Sequence, residues 1–101
     1  MTLVSGIELP VDRIAAMCQR YGVKELAVFG SASRGGMRPD SDVDVLVEFD
    51  SGARVGLVKF ASLEEELAGL IGRKVDLVTK RGLKPWIRQT VLSEAQVVFP
   101  A

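Results

Sequence analysis

Three aspartates supply the residue type best suited to chemistry in this chain. Asp42 and Asp44 stand two residues apart in the stretch PDSDVDVLVEF (39–49), at the start of an apolar run. Residues two apart on a β-strand point to the same face and lie about 6.6 Å apart along it. Carboxylates at that spacing can converge on a divalent ion or on a close pair of ions, and hard oxygen ligands favour Mg²⁺ or Mn²⁺. The pattern predicts a metal-binding pair, and a solvated strand end is the alternative.

The third aspartate, Asp76, lies inside the apolar stretch KVDLVT (74–79). A carboxylate in so apolar a strand is unusual unless it is paired or bound to a metal. If this strand neighbours the strand at 43–49, three carboxylates meet. The alternative is a buried salt bridge, for which the candidate partners are Arg34, Arg73 and Lys74.

A glycine-serine pair, Gly30-Ser31, ends the apolar segment ELAVF (25–29). Glycine lets the backbone approach an anionic ligand closely, Ser31 offers a hydroxyl, and residues 32–35 can begin a short helix whose free N–H groups face a phosphate. Arg34 can orient a phosphate or pair with an aspartate. The alternative for this segment is an ordinary turn.

Two familiar loops do not fit the same region. A Walker A loop requires Lys and then Ser or Thr after its second glycine, whereas Gly36 and Met37 follow Gly35. An EF-hand that began at Asp40 would place Val45 where the turn glycine belongs and Ser51 where the bidentate glutamate belongs. Both interpretations are excluded.

Hydrophobic periodicity predicts an α/β fold in one domain that spans residues 1–101. Helices are expected at about 10–21, 57–71 and 81–95, and strands at 25–29, 43–49, 74–79 and 96–99. The expected architecture is a mixed sheet of about four strands with the helices packed on one face. Leu83, Ile87 and Val91 are interpreted as one helical stripe, and Phe60 and Trp86 as core residues.

Composition excludes several classes of function. Lys+Arg 13 and Asp+Glu 13 give a formal net charge of zero, which disfavours direct binding to nucleic acid or to an anionic membrane surface. Without His and with Cys18 alone, the chain has no Cys/His zinc site and no internal disulfide, as is typical of a cytoplasmic protein. It shows no signal peptide and no apolar run of the roughly 18 residues that a membrane span needs.

Gly30-Ser31, the intervening residues 32–41, and Asp42-Val43-Asp44 together resemble the GS-x10-D-x-D signature of the DNA polymerase β-like nucleotidyltransferase superfamily. The dipeptide RG (34–35) and the stretch PDSDVDVLVEF (39–49) resemble its small branch, the minimal nucleotidyltransferases. The resemblance implies the polymerase β-like fold and two Mg²⁺ ions held by Asp42, Asp44 and Asp76, with Asp76 as a possible base. It also implies that Gly30 and Ser31, with Arg34 as a further candidate, bind the phosphates of ATP.

The resemblance further implies a partner. Proteins of the minimal branch commonly pair with an all-helical HEPN protein as antitoxin and toxin, and transfer AMP from ATP to a tyrosine of the HEPN protein. One alternative is a binding module of the same fold that neutralises such a partner by contact. Another is a nucleotide-binding subunit that needs a separate chain for acceptor specificity. The carboxylates themselves do not determine which nucleotide or which acceptor is used.

Overall fold

The computed structural model describes residues 1–34, 38 and 41–100, apart from the side chain of Arg34. Helices and strands alternate along the described residues. Their order is α1 (Val11–Tyr21), β1 (Val23–Phe29), α2 (Ser31–Arg34), β2 (Val43–Phe49), α3 (Leu57–Ile71), β3 (Val75–Thr79), α4 (Pro85–Glu94) and β4 (Gln96–Phe99).

The four strands form a single mixed sheet with the order β3-β2-β1-β4. β1 pairs antiparallel with both β2 and β4, whereas β2 pairs parallel with β3. This arrangement confirms the predicted α/β fold with a four-stranded mixed sheet. The largest difference in strand bounds is at β1, which begins two residues before the predicted strand.

One face of the sheet carries the main core. α1 contributes Ile14 and Met17, and α3 contributes Leu63 and Leu67, all of them buried. Every second residue of β2 points into this core, namely Val43, Val45 and Val47, which are fully buried. The apolar stripes of α1 and α3, which repeat with the helical period, therefore pack against the apolar side of β2, which repeats every two residues, as predicted.

α4 packs on the opposite face. Val91 and Leu83 form a second, smaller apolar cluster with Leu46, and Phe29 and Val78 pack against it. The expectation that helices cover one face therefore holds for α1 and α3 but not for α4. The reason lies in the topology: β3 and β4 are parallel strands at opposite edges, so their connection must cross a face, and α1 and α3 already cover the first one.

The sequence analysis interpreted Leu83, Ile87 and Val91 as one apolar stripe of a helix and Trp86 as a core residue, and this interpretation was wrong. Leu83 is buried, but it precedes the helix, and Ile87 is 40% exposed. Trp86 is 73% exposed, and Lys84 Nζ lies 5.2 Å from the centre of its ring. Phe60 behaves as predicted, because it packs against the main core and meets Phe49 edge to face.

Within the described residues, no helix combines the length and the apolar character that a membrane crossing needs.

Candidate active site

The parallel pairing of β2 with β3 brings two of the predicted aspartates together. Asp44 and Asp76 are direct partners in the register, so their side chains project from the same face of the sheet on neighbouring strands. Neighbouring strands lie about 4.8 Å apart. Asp44 is half-buried between β1 and β3, while Asp76 is exposed on the edge strand. The condition that these strands be neighbours, on which the prediction depended, is therefore met.

Gly30 leaves the space that the Asp44 carboxylate occupies. β1 ends at Phe29, which is the register partner of Asp44, and Gly30 follows with a left-handed backbone at φ +69°. A Cβ atom at position 30 would overlap Asp44 Oδ2 and would lie 3.3 Å from Asp44 Cγ. Glycine is needed here both for its positive φ and for the close approach of the carboxylate.

Asp42 stands immediately before β2. It is exposed, and the alternation that begins at Val43 puts it on the side of Asp44. Val43 N donates to the carbonyl oxygen of Lys74 at 2.9 Å, so the pairing with the β3 side starts directly after Asp42. The three aspartates thus share one end of one face of the sheet.

Ser31 opens the four-residue helix α2 at the end of β1 and is half-buried. Next in the helix, Ala32 is fully buried in the main core. Ser33 binds the residue that precedes the helix: its N–H donates to the carbonyl oxygen of Gly30 at 3.1 Å, and its hydroxyl donates to the same oxygen at 2.9 Å. This geometry fixes the turn at Gly30. The Arg34 side chain lies outside the described residues, so its predicted role stays a prediction.

The donor set suits a hard divalent cation, since it consists of carboxylate oxygens alone. In the described part of the chain, however, no three His, Cys, Asp or Glu side chains lie close enough together to form a ligand group. The three aspartates share one end of one face without converging on one point, and of the three, Asp44 and Asp76 are register partners. Because Asp42 and Asp76 are exposed, their side chains can rotate towards Asp44 without disturbing the core.

Two glutamates farther along this face, towards the other end of the strands, are already paired. Lys80 Nζ lies 3.1 Å from Glu48 Oε1 and 3.5 Å from Glu25 Oε1. The hydrogen bond to Lys80 lowers the pKa of Glu48, and the same bond raises the pKa of Lys80. In contrast, no ion pair to Asp42 or Asp76 occurs among the residues that the structure describes. The salt bridge considered for Asp76 is therefore absent within that part of the chain.

A cavity of about 580 Å³ lies at the other end of these strands. Its lining includes Lys24, Phe49, Asp50 and Arg81, where β1 begins and where β2 and β3 end. None of the predicted site residues lines it, and its charges are of both signs. The predicted site residues Asp44, Asp76 and Gly30 lie at the opposite end of the strands.

Cys18 is buried in the main core, and burial raises the pKa of its thiol to about 11. A thiol with so high a pKa stays protonated at neutral pH and is a poor nucleophile. We interpret Cys18 as a core residue.

Two side chains near the site escaped the sequence analysis. Glu64 of α3, which the sequence analysis did not consider, accepts a hydrogen bond from Leu77 N at 3.0 Å and so ties α3 to the edge strand next to Asp76. Arg73, considered only as a partner for Asp76, donates to backbone carbonyls in front of Asp42. Bonds between side chains and backbone groups leave no periodic signal in a sequence, so no pattern could have revealed them.

Comparison with known proteins agrees with the geometry. Residues 14–98 match the family model of the nucleotidyltransferase domain. The protein adenylyltransferase MntA of Thermococcus cleftensis is 50% identical to this chain over 80 residues, 79% of each protein. A solved structure described as a minimal nucleotidyltransferase is 43% identical and superposes with a TM-score of 0.72, over 85% of this chain and 86% of the other.

A more distant structure shares the fold alone. It is the complex of a tri-AMPylated HEPN toxin with an MNT antitoxin from Shewanella oneidensis, and the matching chain is 19% identical to this one. The TM-score is 0.63, and the superposition covers 90% of this chain and 70% of that one.

Proposed function

Because the chain belongs to the nucleotidyltransferase family, a family of enzymes, we propose that it transfers AMP from ATP to a hydroxyl group of a partner protein. The observation that carries the proposal is the register of β2 and β3, which sets Asp44 beside Asp76 at the place where Gly30 opens the backbone. We take residues 1–101 as one catalytic domain. The proposed setting is the cytoplasm, where ATP is available.

Asp42, Asp44 and Asp76 are the residues that would hold Mg²⁺, two ions by analogy with the family. When bound, the ions neutralise charge on the triphosphate. Gly30 and Ser31 line the approach of the phosphates, with Arg34 as a further candidate.

In the proposed reaction, the acceptor oxygen forms a bond to the α-phosphorus of ATP, and the bond to the bridging oxygen breaks. Pyrophosphate leaves with that electron pair. An oxygen of the Asp76 carboxylate accepts the acceptor's proton. Asp76 suits this role because it is exposed at the sheet edge, where an acceptor from another protein can reach it.

For the acceptor we propose a tyrosine of a HEPN-family protein, which this chain would silence as an antitoxin. Two findings support this choice: the relative in Thermococcus cleftensis is named a protein adenylyltransferase, and the structure from Shewanella oneidensis contains an AMPylated HEPN toxin. The tyrosine itself rests on the family resemblance.

The test is a transfer assay with the HEPN-family protein of the same organism. The pure proteins are incubated with Mg²⁺ and each α-labelled nucleoside triphosphate, and the label is located by peptide mass spectrometry. We expect AMP on a tyrosine and at least about 100-fold less transfer by Asp42→Asn/Asp44→Asn. Asp12→Asn/Asp50→Asn is the matched control, since both residues are exposed and lie away from the three aspartates.

The outcomes separate the alternatives. Transfer by Asp42→Asn/Asp44→Asn at the rate of the unaltered chain would show that these carboxylates hold no essential metal. Full inhibition of the partner by this variant, with no transfer by any form of the chain, would favour the contact module instead. Transfer of a different nucleotide would correct the choice of ATP alone.

A further inference from the structure

Asp42 is the one predicted ligand that lies outside a strand. Asp44 and Asp76 are fixed by their pairing within the sheet, whereas Asp42 stands one residue before β2 begins. The backbone of Asp42 is therefore positioned by the hydrogen bonds of its two neighbours, residues 41 and 43. Val43 is held by its hydrogen bond to the carbonyl oxygen of Lys74.

Arg73 holds the backbone on the other side of Asp42, at residue 41. It follows Gly72, whose left-handed backbone ends α3, and its side chain reaches back to the chain segment that leads into β2. One guanidinium nitrogen, Nη2, donates to the carbonyl oxygen of Arg38 at 2.7 Å and to that of Ser41 at 3.2 Å. Hydrogen bonds from a charged donor are about twice as strong as neutral ones.

Arg38 and Ser41 are also tied to each other. Ser41 N donates to the carbonyl oxygen of Arg38 at 3.0 Å, and Arg38 N donates to the hydroxyl of Ser41 at 3.1 Å. The guanidinium therefore binds the carbonyl oxygens of two residues that are already hydrogen-bonded to each other, and the second of these carbonyls lies directly before Asp42. Since Arg73 and Lys74 are consecutive, the two anchors on either side of Asp42 belong to the same short piece of backbone in front of β3.

We propose that Arg73 is a positioning residue that holds the backbone in front of Asp42, so that the Asp42 carboxylate stands beside Asp44 and Asp76. The proposal rests on the proposed function, because it assigns Asp42 to the metal site. The same dipeptide, Arg73-Lys74, thereby sets the entry of both β2 and β3 and fixes the three aspartates relative to one another.

The experiment compares Arg73→Met and Arg73→Lys with Arg20→Met as the matched control. Arg20 also makes a side-chain hydrogen bond that links distant parts of the chain, to Glu66 at 2.9 Å, but between α1 and α3 on the other face. Thermal unfolding of each variant sets a temperature at which all of them are fully folded.

The first measurement is amide hydrogen exchange without nucleotide or metal. Arg73→Met is expected to raise the exchange of the Ser41 and Val43 amides by about tenfold or more, the effect of losing charged hydrogen bonds. The Leu77 amide, which Glu64 holds, serves as the internal reference and should not change. Unchanged exchange at residues 41 and 43 would overturn the proposal.

The second measurement is the affinity for Mn²⁺ in the presence of a non-hydrolysable ATP analogue. Arg73→Met is expected to weaken Mn²⁺ binding about 10- to 100-fold, Arg73→Lys to recover part of the loss, and Arg20→Met to leave the affinity unchanged. An Arg73→Met variant that exchanges faster at residues 41 and 43 yet binds Mn²⁺ normally would also overturn the proposal.

The two measurements separate this inference from the proposed function. An unaltered chain that binds Mn²⁺ and transfers AMP, with Arg73→Met equal to it in both, overturns the role of Arg73 and leaves the function standing. An unaltered chain that binds no Mn²⁺ overturns the function, and the role of Arg73 in metal binding with it.

Discussion

Gly30→Ala tests the close packing of backbone and carboxylate on which the site depends. Any L-residue at φ +69° is strained, at a cost of about 1–2 kcal/mol in the free energy of unfolding. The added methyl group would also overlap Asp44 Oδ2, so the carboxylate must move, and such overpacking costs typically about 1–3 kcal/mol. The expected total is about 2–5 kcal/mol, which a domain near the middle of the usual range of about 5–15 kcal/mol survives.

The matched control is Gly6→Ala. Gly6 has a positive φ of +89°, but a Cβ there would meet no atom within 4 Å, so only the backbone strain applies. Urea unfolding should therefore show a loss of about 1–2 kcal/mol for Gly6→Ala and a larger loss for Gly30→Ala.

The activity of the two variants should differ more than their stability. A displacement of about 1 Å in a reacting group can cost roughly 100-fold in rate, so Gly30→Ala should lose about that much transfer at a temperature where it is folded. Gly6→Ala should keep the rate of the unaltered chain. If Gly30→Ala transferred AMP at the normal rate, Asp44 would not need the space at Gly30, and the reasoning would be refuted.

Three further predictions follow from the contacts. Glu64→Ala leaves the Leu77 N–H without its acceptor and should lower the free energy of unfolding by about 1–3 kcal/mol, whereas Glu64→Gln, which keeps an acceptor, should lose less; equal losses would contradict this role. Trp86→Ala should change the free energy of unfolding by no more than about 0.5 kcal/mol because the ring is exposed, whereas Val91→Ala, which truncates a buried side chain, should cost about 1–3 kcal/mol. Both are measured by urea unfolding, and a large loss for Trp86→Ala would show that the ring is packed against other residues. Lys80→Met should remove a pH-dependent contribution to the free energy of unfolding. The hydrogen bond to Lys80 lowers the pKa of Glu48, so this contribution is lost as the pH falls through the acidic range in which glutamate is protonated; the same bond raises the pKa of Lys80, so the contribution is lost again as the pH rises through the alkaline range in which lysine loses its proton. Parallel profiles of stability against pH for the variant and the unaltered chain would contradict this.

The elements were predictable because their periodicity is strong. The alternation of Val43, Val45 and Val47 predicts both the strand and its buried face, and the same alternation assigns Asp44 to the opposite face. The pairing of Asp44 with Asp76 could be stated only as a condition, because a sequence with two apolar strands does not say whether they are neighbours.

The face and the start of α4 were not predictable from spacing. Leu83 and Val91 are both buried, and a spacing of four interprets them as parts of one helix, yet Leu83 precedes Pro85 and reaches the cluster from the loop. The helix is short and crosses the sheet on the less covered face, so few of its positions are buried. Trp86 is consequently left exposed, although its residue type favours burial.

The two aspartates of the D-x-D pair depend on different parts of the fold. Asp44 is fixed by strands on both sides and by the space at Gly30, so the sheet itself determines its position. Asp42 is held through the backbone on either side of it, by Arg73 in front and by the Lys74 carbonyl behind. A metal site that needs both carboxylates at one point therefore requires the sheet register and the connection before β3 to be correct together. The spacing of two residues puts both aspartates on one side of the sheet, and these separate contacts hold the backbone of each one.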